Sequence, residues 1–179
     1  MREPSGDVAT AGAVCVAGLY ERYGGELHTY AARLLGTLDV ADDVTQDVFL
    51  RAMQRWDQPG PPPVSARSWF YRVATNRCLD LLRRRRLIAW LPLTAWREEG
   101  AAADPVGEAV VGADAVRRVL ATLAPRDAVL VVLWGAQGLN YREIAVILQL
   151  SPSAASAAIS RAHTRFARCY AQATKEENT

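Results

Sequence analysis

Paired cysteines, strand signals and long apolar runs are all scarce in this chain. Its 179 residues include three cysteines, Cys15, Cys78 and Cys169, which are far apart and form no CxxC pair. This pattern predicts neither a disulfide framework nor a structural zinc site. The apolar stretch 8–20 is too short to span a bilayer, and the acidic flank before it lacks the positive region of a signal peptide. We therefore expect a reduced chain in the cytoplasm, without a metal or other cofactor.

Lysine is also nearly absent, because 20 of the 21 basic residues are arginine. The formal net charge of only +2 excludes a histone-like protein. The charge is unevenly distributed: residues 58–86 carry seven basic residues against one acidic, and residues 115–179 carry eight against four. Residues 1–57 and 87–114 are each acidic by four charges. The two basic blocks are candidates for contact with nucleic acid.

Apolar residues recur at helical spacing along the chain, and no Asn-Gly or Asp-Gly hairpin turn is present. The sequence therefore predicts an all-α fold. Gly36 is the predicted terminator of the first helix, and Asp39 is the predicted N-cap of the second. The predicted helices cover about residues 19–34, 39–57, 65–86, 116–123, 126–136, 141–148 and 152–170.

Two segments interrupt the helical pattern. Residues 57–65 contain four prolines, which remove amide donors and favour extended backbone, so a stiff exposed loop is predicted. Residues 87–113 form a predicted linker whose start is apolar and carries Trp90 and Trp96. Apolar residues of this kind predict packing against another surface. The resulting division is a tail (1–12), a domain (13–86), the linker (87–113), a second domain (114–172) and a polar tail (173–179).

The strongest local signal lies at residues 140–152. Asn140 followed by Glu143 is the pattern of a capping box, and Ser151 with Pro152 is typical of the start of another helix. Two helices joined by so short a turn indicate a helix-turn-helix. The predicted outward face of the second helix carries only small side chains. DNA binding is favoured here over an ordinary helical hairpin.

The arginine run at 83–86 is preceded by Arg67, Arg72 and Arg77. Four consecutive helical residues point in all directions, so some of these cations only solubilise the helix. The others are candidates for phosphate contact, with a solvated helix end as the alternative. Trp69, Phe70 and Tyr71 allow base stacking, although core packing is favoured for Trp69. No catalytic constellation is found, so an enzyme is not expected.

Several segments of the chain together resemble the small two-domain bacterial RNA polymerase sigma factors of the extracytoplasmic-function (ECF) group. One match runs from Leu19-Tyr-Glu-Arg-Tyr through Asp42-Asp-Val-Thr-Gln-Asp-Val-Phe49 to Trp69-Phe-Tyr-Arg and Asn76-Arg-Cys-Leu-Asp80. The other runs from Leu123-Ala-Pro-Arg126 through Asn140-Tyr-Arg-Glu143 to Ser160-Arg161. The resemblance implies a sigma domain two at 13–86 and a sigma domain four at 114–172.

The resemblance also implies partners and site residues. Domain two would dock on the polymerase clamp and open the minus-10 element, the proline-rich loop at 57–67 would capture a flipped base, and domain four would read the minus-35 element. The polymerase flap and an anti-sigma factor are further expected partners, and catalysis would belong to polymerase. The implied polymerase contacts are Gln46, Asp47, Phe49, Leu50 and Arg51. The implied minus-10 contacts are Arg67, Arg72, Asn76, Asp80, Arg83 and Arg84. The implied minus-35 contacts are Ser151, Ser153, Ser156, Ala157, Ser160, Arg161 and Arg165.

The chain departs from the family pattern in its recognition helix and in its linker. Residues 153–158 are Ser-Ala-Ala-Ser-Ala-Ala, where the family has a stretch like Gly-Thr-Val-Lys-Ser-Arg. Bidentate base readout needs Arg, Lys, Asn or Gln, so shallow minus-35 selectivity is predicted. A free-standing helix-turn-helix regulator and a helical adaptor with weakened DNA binding stay open as alternatives.

Overall fold

The computed structural model describes residues 7–56, 66–90 and 113–177, and every long element within these ranges is a helix. In chain order the helices are α1 (Asp7–Leu35), α2 (Leu38–Trp56), α3 (Ala66–Trp90), α4 (Ala113–Thr122), α5 (Pro125–Val131), α6 (Tyr141–Leu148) and α7 (Pro152–Glu177). A π-helical turn, Val132–Ala136, directly continues α5. The all-α prediction is confirmed. The predictions for the 57–65 loop and for linker residues 91–112 lie outside the described residues.

α1 and α2 form an antiparallel pair that turns at Gly36. Gly36 has a φ of +77°, in the left-handed region that glycine adopts without strain. Its N–H donates to the Ala32 carbonyl at 2.8 Å. The predicted terminator is thus confirmed. Asp39 lies in the first turn of α2 rather than at its N-cap, because α2 already begins at Leu38. There its carboxylate faces the positive end of the helix dipole.

α3 closes the first domain by packing on α1 and α2. The Tyr30 hydroxyl on α1 and the Thr75 hydroxyl on α3 form a buried hydrogen bond of 2.8 Å, so both polar groups are satisfied inside the core. Phe70 and Tyr71 are fully buried and Trp69 nearly so, which confirms core packing for Trp69 and excludes base stacking by all three in this structure. α3 continues to Trp90, past the predicted linker start at 87.

α7 is the central helix of the second domain, since it packs on α4, α5 and α6. It extends to Glu177, seven residues beyond its predicted end. No described helix is long and apolar enough to cross a membrane alone. Only α6 taken with α7 to Lys175 has the required length and composition, and that pair is bent by 102°.

The two domains are packed together, with α3 against α5 and α6 and α1 against the π turn. Their buried side chains belong to one continuous apolar cluster. Arginines of the first domain cross this boundary to carbonyl groups at helix ends of the second. Arg33 Nη1 donates to the Ala136 carbonyl at 3.1 Å, and Arg86 donates to the Leu123 carbonyl. Helix C-terminal carbonyls lack intrahelical donors, so these contacts satisfy groups that would otherwise need water.

Candidate nucleic-acid interface

α6 and α7 form a helix-turn-helix. Asn140 Oδ1 accepts hydrogen bonds from the Arg142 and Glu143 N–H groups, and Glu143 Oε2 accepts from the Asn140 N–H at 2.8 Å. The capping box is thus complete. α6 ends at Leu148, and the next residue, Gln149, has a left-handed φ of 54° that reverses the chain. The angle of 102° between α6 and α7 lies in the range of DNA-binding helix-turn-helix units.

α7 presents an open face of small side chains. Ser151 Oγ accepts a hydrogen bond from the Ala154 N–H at 3.2 Å, so Ser151 is the cap of this helix. Ala155, Ile159 and Ala162 are buried beneath. All the predicted minus-35 contacts are exposed: Ser151, Ser153, Ser156, Ala157, Ser160, Arg161 and Arg165.

Arg165 differs from the others on this face because its charge is paired. Its Nη1 lies 2.7 Å from Asp127 Oδ2 on α5, and the Asp127 side chain is only 13% exposed. The ion pair ties α7 to α5. The role of Arg165 as a minus-35 contact stays a prediction. Arg161, one helical turn earlier, is exposed to solvent.

α3 carries a polar face on its solvent side. Arg72, Asn76, Asp80 and Arg83 recur at intervals of four and three residues and therefore share one side of the helix. Asn76, Asp80 and Arg83 are exposed, Arg72 is half-buried, and Arg83 Nη1 lies 3.4 Å from Asp80 Oδ1. Arg84 is exposed next to this face. The structure thus brings five of the six predicted minus-10 residues together.

Arg67, the sixth, faces the second domain. Its Nη2 lies 3.2 Å from Glu26 Oε2, its Nη1 lies 3.6 Å from Glu143 Oε1, and its guanidinium stacks 5.3 Å from the centre of the Tyr71 ring. Partial burial acts to lower the pKa of Arg67, but the hydrogen bond to Glu26 and the neighbouring charges raise it overall. In this structure the Arg67 charge is paired with two carboxylates, and its role as a minus-10 contact stays a prediction.

Tyr71 belongs to the same cluster. Its hydroxyl lies 3.0 Å from Gln137 Oε1 in the second domain and 3.3 Å from Glu26 Oε2. Burial, reinforced by the Glu26 charge, raises the pKa of Tyr71 to about 12. The phenol therefore stays protonated and can donate its hydrogen bond across the domain boundary throughout the physiological pH range.

The exposed side of α2 carries most of the predicted polymerase contacts. Gln46, Leu50 and Arg51 are exposed, and Asp47 Oδ2 lies 3.0 Å from Arg51 Nη2 on the next turn. Phe49 is instead 6% exposed, with its ring centre 4.8 Å from that of Phe70 and 4.9 Å from that of Tyr20. Phe49 is a core residue, so its prediction as a contact is wrong.

Three exposed apolar residues were missed by the sequence analysis. Met53 lies one turn after Leu50, and the two are 49% and 58% exposed. Their position off the Val44 and Val48 stripe is a signal that could have found Met53. Trp134 and Tyr141 are 41% and 38% exposed next to α7. Trp134 lies in the π turn, which no local sequence signal marks.

Two family models match the chain, one in each domain. Sigma-70 region 2 covers residues 19–88, and Sigma-70 region 4 covers residues 113–165. ECF RNA polymerase sigma factor SigM of Mycobacterium tuberculosis is 30% identical over 84% of this chain and 74% of its own length. The chain belongs to the ECF RNA polymerase sigma factors.

A further relative extends beyond the aligned region. ECF RNA polymerase sigma factor SigE of Mycolicibacterium smegmatis is 32% identical to this sigma factor over 73% of the chain, but the match spans only 51% of the SigE sequence. The chain thus covers about half of SigE and about three quarters of SigM.

Solved structures show the same arrangement of helices. The sigma factor RpoE of Bartonella quintana, in complex with the anti-sigma factor NepR, aligns with a TM-score of 0.67 at 20% identity, covering 86% of this sigma factor and 94% of RpoE. CnrH, in complex with the cytosolic domain of CnrY, aligns with a TM-score of 0.63 at 26% identity, covering 90% of each chain.

Proposed function

We propose that this sigma factor binds core RNA polymerase through α2 and directs it to promoters through the polar face of α3 and the open face of α7. The observation that carries the proposal is the presence of both sigma-70 regions in one chain, each with an exposed helix face at the predicted positions. On α2, Leu50 and Met53 offer apolar area for the clamp, and Gln46 and Arg51 surround them with polar groups.

The DNA contacts follow from the two other faces. Asn76, Arg83 and Arg84 on α3 are suited to a single strand, where cations contact phosphates and an amide contacts base edges. α7 approaches duplex DNA closely because its exposed side chains are small, and Arg161 anchors phosphate. Catalysis of RNA synthesis is assigned to polymerase, and the cytoplasm is the expected location.

An anti-sigma factor is the remaining proposed partner. RpoE was solved in complex with the anti-sigma factor NepR, and CnrH in complex with the cytosolic domain of CnrY. The domain boundary of this chain, with arginines from α1 and α3 at its edge, is where a partner could bind both domains at once. The flap of polymerase is the proposed contact of the second domain.

The deciding experiment is reconstitution with purified core polymerase, followed by transcription from fragments of the genome that encodes the chain. We expect retention of the chain on immobilised core and a shared minus-10 motif upstream of the mapped 5′ ends. Leu50→Glu with Met53→Glu should abolish retention, whereas Arg84→Gln should preserve it. Duplex binding without core retention would instead identify a free-standing regulator, and neither activity would identify an adaptor.

A further inference from the structure

A cleft of about 280 Å³ separates the π turn from the recognition helix. Trp134 and Tyr141 contribute aromatic rings to it, and Ser156 and Ser160, one turn apart on the exposed side of α7, contribute its opposite wall. Its remaining lining residues are Ile159 and His163. The cleft is therefore a direct continuation of the surface that the fold offers to duplex DNA.

His163, a lining residue of the cleft, carries an unpaired polar atom. Its Nε2 is buried, and among the described residues no hydrogen-bond partner is found for it. A Cβ at Gly135 would lie 3.9 Å from this nitrogen, so glycine leaves the space next to it open. A buried polar atom without a partner costs free energy, so a ligand group that reaches this nitrogen would bind favourably.

The charges around the cleft indicate which occupant it would take. Arg142 stacks on Tyr141, with its guanidinium carbon 5.8 Å from the ring centre and its Nε 3.3 Å from the phenol oxygen. Arg161 is exposed on α7 next to Ser160. A cleft with aromatic lining residues, with exposed arginines next to two of its lining residues, matches a nucleic acid, whose phosphates need cations and whose base edges include apolar groups.

Only one apolar group projects into the major groove, the 5-methyl group of thymine. The exposed positions 153, 156, 157 and 160 carry no long hydrogen-bonding side chain, so they cannot make a bidentate contact with guanine or adenine. Trp134 and Tyr141 can instead remove a methyl group from water. The O4 atom beside that methyl accepts hydrogen bonds, and His163 Nε2 donates one in a suitable tautomer.

We propose that Trp134 is a specificity-determining residue and that its cleft takes the 5-methyl edge of a thymine in the minus-35 duplex. The inference rests on the duplex binding by α7 given above, and it deepens that binding by assigning the base and the group that is read. Burial of one methyl group changes affinity about fourfold, which corresponds to about 0.8 kcal/mol. Selectivity is then modest and depends on methyl groups rather than on purines.

The test uses the full chain and a pool of random duplexes from which the chain selects its preferred sequence. Each thymine of the selected duplex is replaced in turn by deoxyuracil, which keeps the base pair and removes only the methyl group. We expect one or two positions at which uracil weakens binding about fourfold. Trp134→Ala should remove this difference, and Trp134→Phe should keep most of it.

A matched control is Val146→Ala, because Val146 is 59% exposed on α6 and does not line the cleft. This variant should preserve the uracil effect, and thermal unfolding should show that all variants remain folded. Equal binding of thymine and uracil duplexes by the unmodified chain overturns the proposal, as does a pool that yields no selected sequence. A uracil effect that survives in Trp134→Ala assigns the methyl contact to α7 alone and also overturns it. Retention of Trp134→Ala on core polymerase is measured separately; a loss there, with the uracil effect intact, makes the cleft a polymerase contact instead.

Discussion

Arg67 Nη1 lies 3.6 Å from Glu143 Oε1, so an arginine near the start of α3 contacts the carboxylate that caps the helix-turn-helix. Glu143 uses its other oxygen, Oε2, to accept from the Asn140 N–H. The Glu143 side chain thus caps the first helix of the helix-turn-helix and also contacts the other domain. Domain docking and the start of α6 share a common residue.

The Glu143→Gln variant separates these two roles. Glutamine retains the capping interaction but loses the charge, so α6 should stay intact while the attraction to Arg67 weakens. Because both side chains are about one-third exposed, the loss is small, about 0.2–1 kcal/mol. We expect the distance between fluorophores on the two domains to increase, and Arg67→Gln to have a similar effect. Arg84→Gln is the control, and an unchanged distance in both test variants would refute a docking role for this ion pair.

Neighbouring residues on α2 should respond differently to alanine. Phe49→Ala removes a ring packed between two other aromatic rings and should lower the free energy of unfolding by about 3–5 kcal/mol. Leu50→Ala removes an exposed side chain and should change it by less than about 0.5 kcal/mol, while weakening retention on core polymerase. Urea unfolding and a core-binding assay measure the two effects. Similar stability losses in both variants would contradict the assigned burial.

The left-handed conformation at Gln149 should make glycine favourable there. Gln149 has a φ of 54°, which costs a residue with a Cβ about 1–2 kcal/mol. Glycine avoids this cost but loses more backbone entropy on folding, so a net gain of about 0.5–1 kcal/mol is expected for Gln149→Gly. Thermal unfolding of Gln149→Gly and Gln149→Ala would check this, with alanine expected to give no gain.

Burial should make the Cys78 thiol slow to react with thiol reagents. Desolvation, opposed weakly by Arg77, raises the pKa of the Cys78 thiol from 9.0 to about 12. In a Cys15→Ser variant, thiol reagents at pH 8 should therefore modify the partly exposed Cys169 quickly and Cys78 only on unfolding. Equal rates at the two sites would contradict the packing of α3.

The same shift predicts how stability varies with pH. Between pH 9 and about 12 the unfolded chain has lost the Cys78 proton that the folded chain retains. The free energy of unfolding should therefore fall as the pH rises through this interval, and Cys78→Ala should reduce the slope. Urea titrations at several pH values would measure it; the same slope in the variant would refute the contribution of Cys78.

The α3 face should contribute to the salt dependence of single-strand binding. Replacing Arg83 and Arg84 together by glutamine should flatten the dependence of affinity on salt by about 0.7 log units for each phosphate contact that is lost. Arg117→Gln, on α4 and paired with Asp114, serves as the control. An unchanged slope in the double variant would show that Arg83 and Arg84 only solubilise the helix.

Local signals were sufficient to predict the helix-turn-helix. Sequence spacing reveals the capping box at Asn140 and the proline at the start of α7, because each determines backbone geometry within a few residues. The glycine after α1 is predictable for the same reason. Asp39 shows the limit of this approach, because α2 starts one residue before it and places its carboxylate inside the first turn.

Tertiary partners decided the residues that the sequence could not assign. Arg67 is oriented by Glu143, which lies far away in the chain, and Arg165 by Asp127 on another helix. The position of Phe49 in α2 is compatible with either a surface or a core side chain. Its contact with Phe70 shows that it belongs to the core. In a regular α-helix, Trp134 would lie on the same buried side as Leu130, four residues earlier. The π turn shifts this register, and Trp134 is exposed.

In the arginine run at 83–86, the position of each residue in the helix, rather than its type, decides which contacts its side chain makes. All four arginines are exposed, but Arg85 also donates to the Leu35 carbonyl at 2.6 Å and Arg86 donates to the Leu123 carbonyl. Each step along an α-helix rotates the side chain by about 100°. Inserting one alanine just before the run would leave its composition and charge unchanged but would assign new directions to all four guanidinium groups. Such a protein would pass any test of sequence similarity in this segment and would still lose the cap on α1 and the connection to α4.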